Sequence, residues 1–442
     1  MSLTTPPKVE KLQTALHAKA KAAPAYRFYA LYDKVYRVDI LAFAYQRCHA
    51  NQGAAGVDGE SFQDIEAYGV ERWLAVLTQE LKDWTYQPRP VQRVWIPKPD
   101  GTQRPLGIPT IRDRVVQMAV VLVLGPIFEA DLPPEQFAYR PERSAQDAAM
   151  RVRELIRMGY TDVVDADLSG YFDSIPHHEL MKCVARRVCD PHVLHLIKMW
   201  LEAPVEETDE KGRKSLTTRN QDEGRGTPQG AVISPLLANL YMRRFLVGFK
   251  QLGHAERLEA HIVNYADDFV ICSRGHATEA MAVMKDMMAK LKLTVNEQKT
   301  RRCRLPEDKF TFLGYTFGRY YSRRTGGAYL GLCPAIKKVR QLCRTTSALT
   351  DRRTCWQSVT DKVAQLNRKL RGWANYFSLG TVIRAYETVT NHTCRRLRRW
   401  LCYKHDVRRG KYARFPRKYL HDELHLVKLK ELKRSPLWAN AW

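Results

Sequence analysis

The pattern of apolar and polar positions predicts both helices and strands. Apolar residues recur at helical spacing over 70–83, over 112–128 and again beyond residue 330, which predicts helices there. Two short apolar runs within 261–272 flank a pair of acids, the pattern of a tight β-hairpin. Between 162 and 167 apolar and acidic residues alternate, as in a strand that buries one face. The chain is therefore expected to have an α+β fold.

The acids at the tip of the predicted hairpin are the first candidates for chemistry. Tyr265-Ala-Asp-Asp268 places Asp267 and Asp268 side by side. An isolated Asp-Asp pair usually lies in a solvated turn, but two ionised carboxylates held near other protein atoms need a counter-cation. Mg²⁺ is the divalent ion that best suits such hard oxygen ligands.

A third carboxylate lies at the end of the predicted strand. Asp167 is followed by Ser169-Gly170, which ends the strand, and it precedes Asp267 by 100 residues. Only a folded sheet can bring these two acids together. Two metal ions about 4 Å apart could then bind between the carboxylates, one activating a primer 3′-hydroxyl and the other holding triphosphate oxygens, as in nucleotidyl transfer.

Ten motifs around these acids resemble the reverse transcriptase family, and most closely the bacterial group II intron-encoded proteins. The resemblance spans about residues 40–425. In chain order the motifs are Ile96-Pro-Lys-Pro-Asp-Gly101, Arg104-Pro-Leu-Gly-Ile-Pro-Thr110, Asp113-Arg-Val-Val-Gln117, Tyr139-Arg-Pro-Glu-Arg-Ser-Ala145, Asp167-Leu-Ser-Gly-Tyr-Phe-Asp173, Gly226-Thr-Pro-Gln-Gly-Ala-Val-Ile-Ser-Pro-Leu-Leu-Ala-Asn239, Tyr265-Ala-Asp-Asp268, Asn296-Glu-Gln-Lys-Thr300, Phe312-Leu-Gly-Tyr315 and Arg371-Gly-Trp-Ala-Asn-Tyr-Phe377. Each is a modest signal alone, but chance does not produce all of them in the family's order.

The resemblance implies a right-hand polymerase whose fingers and antiparallel-sheet palm are followed by an α-helical thumb, also called the maturase or X domain. The expected limits are an N-terminal extension over 1–35, fingers over 36–136, a palm with the catalytic acids over 137–318, the thumb over 319–405 and a basic C-terminal segment over 406–442.

The resemblance also assigns roles around the polymerase centre. Asp167, Asp267 and Asp268 match the acids that bind two Mg²⁺ ions. Phe172 matches the aromatic residue beneath the incoming sugar, which favours dNTPs by excluding a ribose 2′-hydroxyl, and Gln229 matches the glutamine that lines the nucleotide pocket. Without the family, Phe172 is an ordinary core aromatic and the loop of Gln229 an ordinary turn.

Three basic residues complete the expected site. Lys98 and Arg104 match the fingers residues that clamp the triphosphate, a use that suits an ammonium and a planar guanidinium. Lys299 is a candidate general acid for pyrophosphate departure. The plainer alternatives are a solvated hairpin turn around Lys98 and a surface lysine beside a strand for Lys299.

The positive charge is concentrated in the last third of the chain. The net charge is +25, and residues 301–442 hold 33 Lys and Arg against nine Asp and Glu. A domain with this balance is expected to bind a polyanion. In the thumb, the resemblance makes that polyanion intron RNA and an RNA–DNA duplex, gripped through phosphates. The candidate contacts are Arg395, Arg396, Arg398 and Arg399, and Arg408–Lys418 together with the C-terminal tail is expected to extend the surface towards target DNA.

The ten cysteines and the apolar runs limit the alternatives. No Cys-x-x-Cys spacing occurs, which argues against a zinc ribbon and favours reduced packing residues. No secretory signal or membrane-spanning stretch is evident, so a cytoplasmic protein without a membrane partner is expected. The sequence stops at Trp442 without the paired cysteines of an HNH endonuclease, so second-strand cleavage by this polypeptide is not expected.

The sequence thus predicts an RNA-directed DNA polymerase that uses Mg²⁺ and dNTPs and copies an RNA template from a DNA primer. The resemblance adds binding of intron RNA during splicing, and retrohoming into target DNA. Three alternatives stay open: a defence-associated or domesticated reverse transcriptase without an intron, an RNA-binding splicing factor without polymerase activity, and an RNA-templated RNA polymerase.

Overall fold

A computed structural model of the protein describes residues 3–97, 101, 103–209, 211–322 and 325–432. The chain divides into two units. The first comprises Met1–Arg143, Ala166–Phe269 and Glu279–Thr300, and the second comprises Ser144–Asp165, Val270–Thr278 and Arg301–Trp442.

Helices account for about half of the residues that the structure describes. They are α1 (Pro7–Ala22), α2 (Tyr32–Val35), α3 (Val38–Ala50), α4 (Phe62–Tyr68), α5 (Val70–Lys82), α6 (Ile111–Glu129), α7 (Ala145–Arg157), α8 (Tyr171–Ser174), α9 (His177–Ala185), α10 (Pro191–Glu202), α11 (Arg219–Asp222), α12 (Ser234–Gln251), α13 (His254–Arg257), α14 (Ala277–Lys290), α15 (Ile336–Leu349), α16 (Val359–Tyr376), α17 (Ile383–Lys404) and α18 (Lys411–Arg414). Short 3₁₀ turns cover Arg352–Thr354 and Leu429–Glu431, and a π-helical turn covers Tyr419–Glu423.

The strands form three sheets. They are β1 (Val91–Pro97), β2 (Gln103–Ile108), β3 (Asp162–Asp167), β4 (Val205–Thr208), β5 (Lys214–Thr217), β6 (Ala260–Tyr265), β7 (Asp268–Ser273), β8 (Arg301–Arg304), β9 (Phe310–Phe312), β10 (Tyr315–Tyr321) and β11 (Ala328–Pro334). Their orders are β2-β1-β4-β5, β6-β7-β3-β8 and β11-β10-β9.

The first unit is built around the buried helix α6. Its sequence is apolar on almost every side, so it is surrounded by protein, and the prediction of a buried helix over 112–128 is confirmed. Thr110 caps the helix by accepting a hydrogen bond from the Asp113 amide at 3.2 Å. The buried Asp113 carboxylate in turn accepts the hydroxyl of Tyr86 at 2.7 Å. These bonds fix the start of α6 directly after β2.

The fingers sheet begins with two strands that are consecutive in the chain. β1 and β2 pair antiparallel, with Arg104 opposite Ile96, and β4 adds to β1 in parallel. The polar segment 206–226 contributes most of β4, then β5 and α11. The sheet therefore gains two strands from a segment that has little apolar periodicity.

The palm sheet carries the acidic motifs at its strand ends. The hairpin predicted over 261–272 is present as β6 and β7, and β3 follows the alternating pattern of 162–167. β3 pairs antiparallel with β8. The centre of β7 is fully buried from Phe269 to Cys272, which anchors the hairpin. The boundary between the two units runs through β3 and β7, and the acids at their ends belong to the first unit.

The second unit contains the sheet β11-β10-β9 and the helices α15, α16 and α17. Its core is formed by leucines of α16, such as Leu366 and Leu370, together with Leu397 and Trp400 of α17. Apolar residues at helical spacing put these side chains on one stripe of each helix, and the predicted helical thumb is confirmed. Among the residues that the structure describes, no helix is both long and apolar enough to cross a bilayer.

Candidate active site

A two-residue turn between β6 and β7 sets the position of the paired acids. Ala266 adopts a left-handed backbone conformation with φ +58°, which is uncommon for a residue with a side chain. The buried Asn264 side chain donates to the carbonyl of Ala266 at 2.8 Å and holds this turn. Because β7 starts at Asp268, the turn leaves Asp267 at the tip and Asp268 at the first strand position.

Asp167, at the end of β3, is held by the loop that precedes β8. The Lys299 Nζ lies 2.9 Å from its Oδ2, and the Asn296 side-chain amide lies 3.3 Å from the same oxygen. The Asn296 backbone amide also donates to the Asp167 carbonyl at 2.8 Å. This loop therefore fixes both the backbone and the carboxylate of Asp167.

The three carboxylates act on the same lysine. The hydrogen bond to Asp167 is the main reason why the pKa of Lys299 is raised, and the charges of Asp268 and Asp267 raise it further. Lys299 therefore stays protonated at neutral pH. Its ammonium group supplies one positive charge to a site that contains Asp167 and the adjacent pair Asp267 and Asp268.

The negative charge of the site is only partly balanced. Burial raises the pKa of Asp267, and the nearby charge of Asp167 raises it again, while Arg104 and Lys299 act in the opposite direction. A bound cation would relieve the repulsion between the carboxylates, and their oxygens are the hard ligands that Mg²⁺ prefers. The chemistry of the donors therefore fits a divalent metal.

The carboxylates do not form a ready-made metal cage in this arrangement. Within the described parts of the chain, no group of three or more His, Cys, Asp and Glu side chains is spaced to hold a metal ion. The Asp167 carboxylate is instead paired with the ammonium group of Lys299. The assignment of Asp167, Asp267 and Asp268 as metal ligands therefore remains a prediction.

Most of the predicted nucleotide residues line one cavity with two of the acids. The cavity has a volume of about 670 Å³, and its lining includes Arg104, Phe172, Gln229, Asp167, Asp267 and Lys299. Phe172 is partly buried on α8, and its ring meets the ring of Tyr139 edge-on at a centroid distance of 6.5 Å. A cavity of this size can hold a nucleotide.

The loop that carries Gln229 is fixed by backbone contacts. The Gly107 amide of β2 donates to the Gln229 carbonyl at 2.6 Å, and the Thr227 amide donates to the Phe172 carbonyl at 2.7 Å. Gly230 has φ +113°, and a Cβ there would lie 2.4 Å from the Gly107 carbonyl oxygen, so only glycine fits. The close approach places the Gln229 side chain against α8.

The side-chain amide of Gln229 is oriented by an acid that the sequence did not single out. Its Nε2 lies 3.3 Å from Oδ2 of Asp173, the last residue of the Asp167 motif. An ionised carboxylate only accepts hydrogen bonds, so the amide nitrogen is engaged and the oxygen is the acceptor left for a ligand. The sequence also assigned no role to Asn296 or Tyr139, although each begins one of the motifs. In the structure both residues line the cavity.

Comparison with known proteins agrees with this geometry. Residues 96–317 match the family described as reverse transcriptase (RNA-dependent DNA polymerase), and residues 338–420 match the group II intron maturase-specific domain. The chain belongs to the reverse transcriptase family. The predicted family, the predicted polymerase fold with a helical thumb, and the predicted enzyme class are confirmed.

The relatives of this reverse transcriptase include bacterial proteins. Protein YkfC of Escherichia coli K12 is 32% identical over 387 residues, covering 77% of this chain and 96% of YkfC. Group II intron-encoded protein LtrA of Lactococcus lactis is 26% identical over 438 residues, covering 80% of this chain and 71% of LtrA. A solved telomerase of Candida albicans aligns with 81% of this chain and 70% of its own, at 10% identity and a TM-score of 0.43, which is too low to add to the assignment.

One of the two residues predicted to clamp the triphosphate lies at the cavity of this reverse transcriptase. Arg104 lies on β2 and lines the cavity, as expected for a residue that faces the triphosphate. Lys98 lies outside the described residues, so its predicted role has no structural counterpart here.

The four arginines of α17 in the thumb divide into two pairs. Arg398 is buried, and its Nε donates to the Phe415 carbonyl at 2.8 Å. Arg396 donates to the carbonyls of Ser347 and Thr350 at the end of α15, at 2.9 and 3.1 Å. Arg395 and Arg399 are exposed. Two of the four predicted RNA-binding arginines, Arg396 and Arg398, therefore bond to carbonyls within the domain, and the prediction that the set binds RNA stays a prediction.

Proposed function

We propose that this reverse transcriptase extends a DNA primer on an RNA template with dNTPs, at a two-Mg²⁺ site formed by Asp167, Asp267 and Asp268. The supporting observation is the shared cavity, in which Asp167 and Asp267 come together with Arg104 and Phe172 although the sequence separates the two acids by 100 residues. A protein that only binds RNA does not need two acids, an aromatic residue and an arginine to line one cavity.

The proposed metal ions would be held by the three carboxylates. When bound, Mg²⁺ would activate the primer 3′-hydroxyl and neutralise charge on the triphosphate. The protein's own groups do the rest by positioning. Arg104 contacts triphosphate oxygens, Gln229 accepts a hydrogen bond from the nucleotide, and the Phe172 ring excludes a 2′-hydroxyl.

Lys299 is proposed to donate a proton to the departing pyrophosphate. A general acid must carry its proton when the leaving group departs, and a lysine side chain is protonated at neutral pH. The ammonium group lies 2.9 Å from Asp167, and Lys299 lines the cavity that we propose for the nucleotide. Its side chain is 65% exposed, so it can move from Asp167 towards a bound nucleotide.

We further propose that the thumb binds intron RNA and assists its splicing, and that the same protein copies the inserted RNA at a DNA target during retrohoming. The maturase-specific domain match and the net charge of +24 over residues 301–442 support this role. The relative LtrA is itself a group II intron-encoded protein. Splicing chemistry would then belong to the RNA, and the protein would contribute binding.

Asp267→Asn tests the proposed polymerase site. The substitution keeps the side-chain shape and removes a charge needed for metal binding, so primer extension is expected to fall at least about a hundredfold. RNA binding, measured by filter retention, should remain close to that of the unmodified protein because no basic surface changes. Asp286→Asn is the matched control, since Asp286 is an exposed acid of α14 paired with Lys290.

Two results would contradict the proposal. Primer extension that survives in Asp267→Asn would mean that this acid holds no essential metal. An equal loss of extension and RNA binding would mean that the substitution disrupts the fold instead of one site. The intron role has its own test, because a catalytic intron sequence should flank the reading frame.

A further inference from the structure

The thumb presents an exposed tryptophan on a rigid support. Trp356 is 80% exposed, the most exposed of the large apolar side chains among the described residues. Lys404 of α17 donates from Nζ to the carbonyls of Cys355 and Gln357, both at 2.9 Å, and so holds the backbone on either side of it. The Trp400 Nε1 also donates to Thr354 Oγ1 at 3.0 Å. The segment is thus tied to α17 while the indole remains in solvent.

Basic and aromatic side chains lie on the 3₁₀ turn that precedes this tryptophan and on the end of α17. The guanidinium groups of Arg352 and Arg399 lie 5.4 and 5.5 Å from the ring centre of Tyr403. Arg399 also donates to the Tyr403 hydroxyl at 2.9 Å, and this bond, followed by the charges of Arg399, Arg352 and Lys411, lowers the pKa of Tyr403. The local potential is therefore positive.

We name this surface the Trp356 patch and define it as Arg352, Arg353, Trp356, Arg399 and Tyr403. All five side chains are exposed. One acid, Asp351, lies beside the patch, where its carboxylate accepts the Arg353 backbone amide at 3.0 Å and so begins the 3₁₀ turn. Arg396 and Arg398 are not part of the patch because they bond to carbonyls within the domain.

We propose that the Trp356 patch binds a single-stranded segment of RNA, with one base stacked on Trp356 and the neighbouring phosphates against Arg352, Arg353 and Arg399. This proposal rests on the RNA-binding role proposed for the thumb. It adds which residues bind the RNA and that the bound RNA is single-stranded. An exposed indole offers a face to an unstacked base, which a base-paired duplex does not present. The arginines supply the charge that a phosphate backbone requires.

The substitution Trp356→Ala tests the stacking contact in the full-length protein. The probe is a fluorescent uridine oligonucleotide of about 12 nucleotides, within the range of single-strand sites. An excess of unlabelled RNA–DNA primer–template fills the polymerase cleft. Trp356→Ala should weaken binding about tenfold, while Trp356→Phe, which keeps an aromatic face, should lose much less. The Tm of both variants should equal that of the parent, because the side chain is exposed.

Charge and stacking separate in the salt dependence. Trp356→Ala should leave the slope of log Kd against log salt unchanged, because no phosphate contact is lost. Arg352→Ala should reduce that slope by about 0.7. Arg340→Ala is its control, as Arg340 is an exposed arginine of α15 outside the patch. Equal losses for Arg352→Ala and Arg340→Ala would show that only net charge matters and would overturn the site.

A spectroscopic readout reports on the patch alone. The chain has nine tryptophans, so the signal of Trp356 is the difference between the parent and Trp356→Phe. Oligonucleotide binding should quench that difference signal. The proposal would be overturned if Trp356→Ala bound the oligonucleotide as tightly as the parent and the difference signal were not quenched. Binding of duplex RNA, or of DNA alone, through these residues would also overturn it. Such results would leave the polymerase site intact, since Asp267→Asn tests that site independently.

Discussion

The polymerase site and helix α17 arrange charged side chains in opposite ways. In the polymerase site, Asp167 and Asp267 come from strands far apart in sequence and line one cavity. In α17, four arginines within five positions point in different directions, so that Arg398 is buried and Arg399 is exposed. Strand ends meet at one edge of a sheet, whereas successive helix residues are turned by about 100°. Acids that are distant in sequence can therefore share one site at the ends of strands, whereas arginines that are close in sequence can lie in different environments on a helix.

The two regions also differ in how their charge is satisfied. Each inward arginine of α17 bonds to backbone carbonyls, so its charge serves the fold. In the polymerase site, burial and then the charge of Asp167 raise the pKa of Asp267, and the positive charges of Arg104 and Lys299 do not fully offset these two effects. A ligand is expected where the balance is incomplete, and stability is expected to depend on the charges that are already paired.

Lys299→Ala gives the largest effect expected from this comparison. It removes the ammonium group that contacts Asp167 and the proposed proton donor, so the kcat of primer extension should fall about 10²- to 10⁴-fold. RNA affinity should not change. The measurement is single-turnover extension, with Lys285→Ala as the control because Lys285 is also a partly exposed lysine paired with an acid, Glu297.

The variant Lys299→Arg separates the two roles of this lysine. Arginine keeps the positive charge beside Asp167 but does not release a proton at neutral pH. Low activity in both Lys299→Arg and Lys299→Ala would support proton donation. Recovery of activity in Lys299→Arg would show that Lys299 acts as a counter-charge and would contradict the general-acid role.

Arg398→Ala and Arg399→Ala test the division within α17. Arg398→Ala leaves the Phe415 carbonyl without its partner inside the core, so the free energy of unfolding should fall by about 1–3 kcal/mol. Arg399→Ala should leave stability within about 0.5 kcal/mol and weaken RNA binding instead. Thermal unfolding and RNA titration on the same samples check both. The same pattern in both variants would mean that the helix does not divide its arginines in this way.

The polymerase hairpin could be predicted because local pattern and chemistry agree there. Apolar runs on both sides of Asp267 and Asp268 specify two strands, and the two-residue connection between them places Asp267 at the tip and Asp268 at the start of β7. The alternation before Asp167 specifies β3 in the same way. The resemblance then supplied the partners of these acids, which no periodicity contains.

Other features could not be predicted because they depend on packing between distant segments. The pair of Lys299 with Asp167 joins residues 132 positions apart. The inward direction of Arg398 depends on where the Phe415 carbonyl lies. The exposure of Trp356 runs against the usual burial of tryptophan, so composition alone predicts the wrong environment for it.

Asp173→Asn is the finest test of the comparison, because it changes one hydrogen bond in the polymerase site. Asn can donate as well as accept, so the Gln229 amide would no longer be held with its oxygen towards the nucleotide. The KM for dNTPs should rise about three- to tenfold, the size of one hydrogen bond, with a smaller change in kcat and no change in Tm. Asp222→Asn, an exposed acid on α11, is the control.

A double-substitution cycle decides whether Asp173 acts through Gln229. In a Gln229→Ala protein the amide is absent, so adding Asp173→Asn should raise the KM no further. A full additional effect would mean that Asp173 contacts the nucleotide or shapes the cavity by another route. Asp173 would then be a fourth acid of the polymerase site, acting on the nucleotide and not through Gln229. Like the other three acids, and unlike the carbonyl-paired arginines of α17, it would use its charge for a ligand.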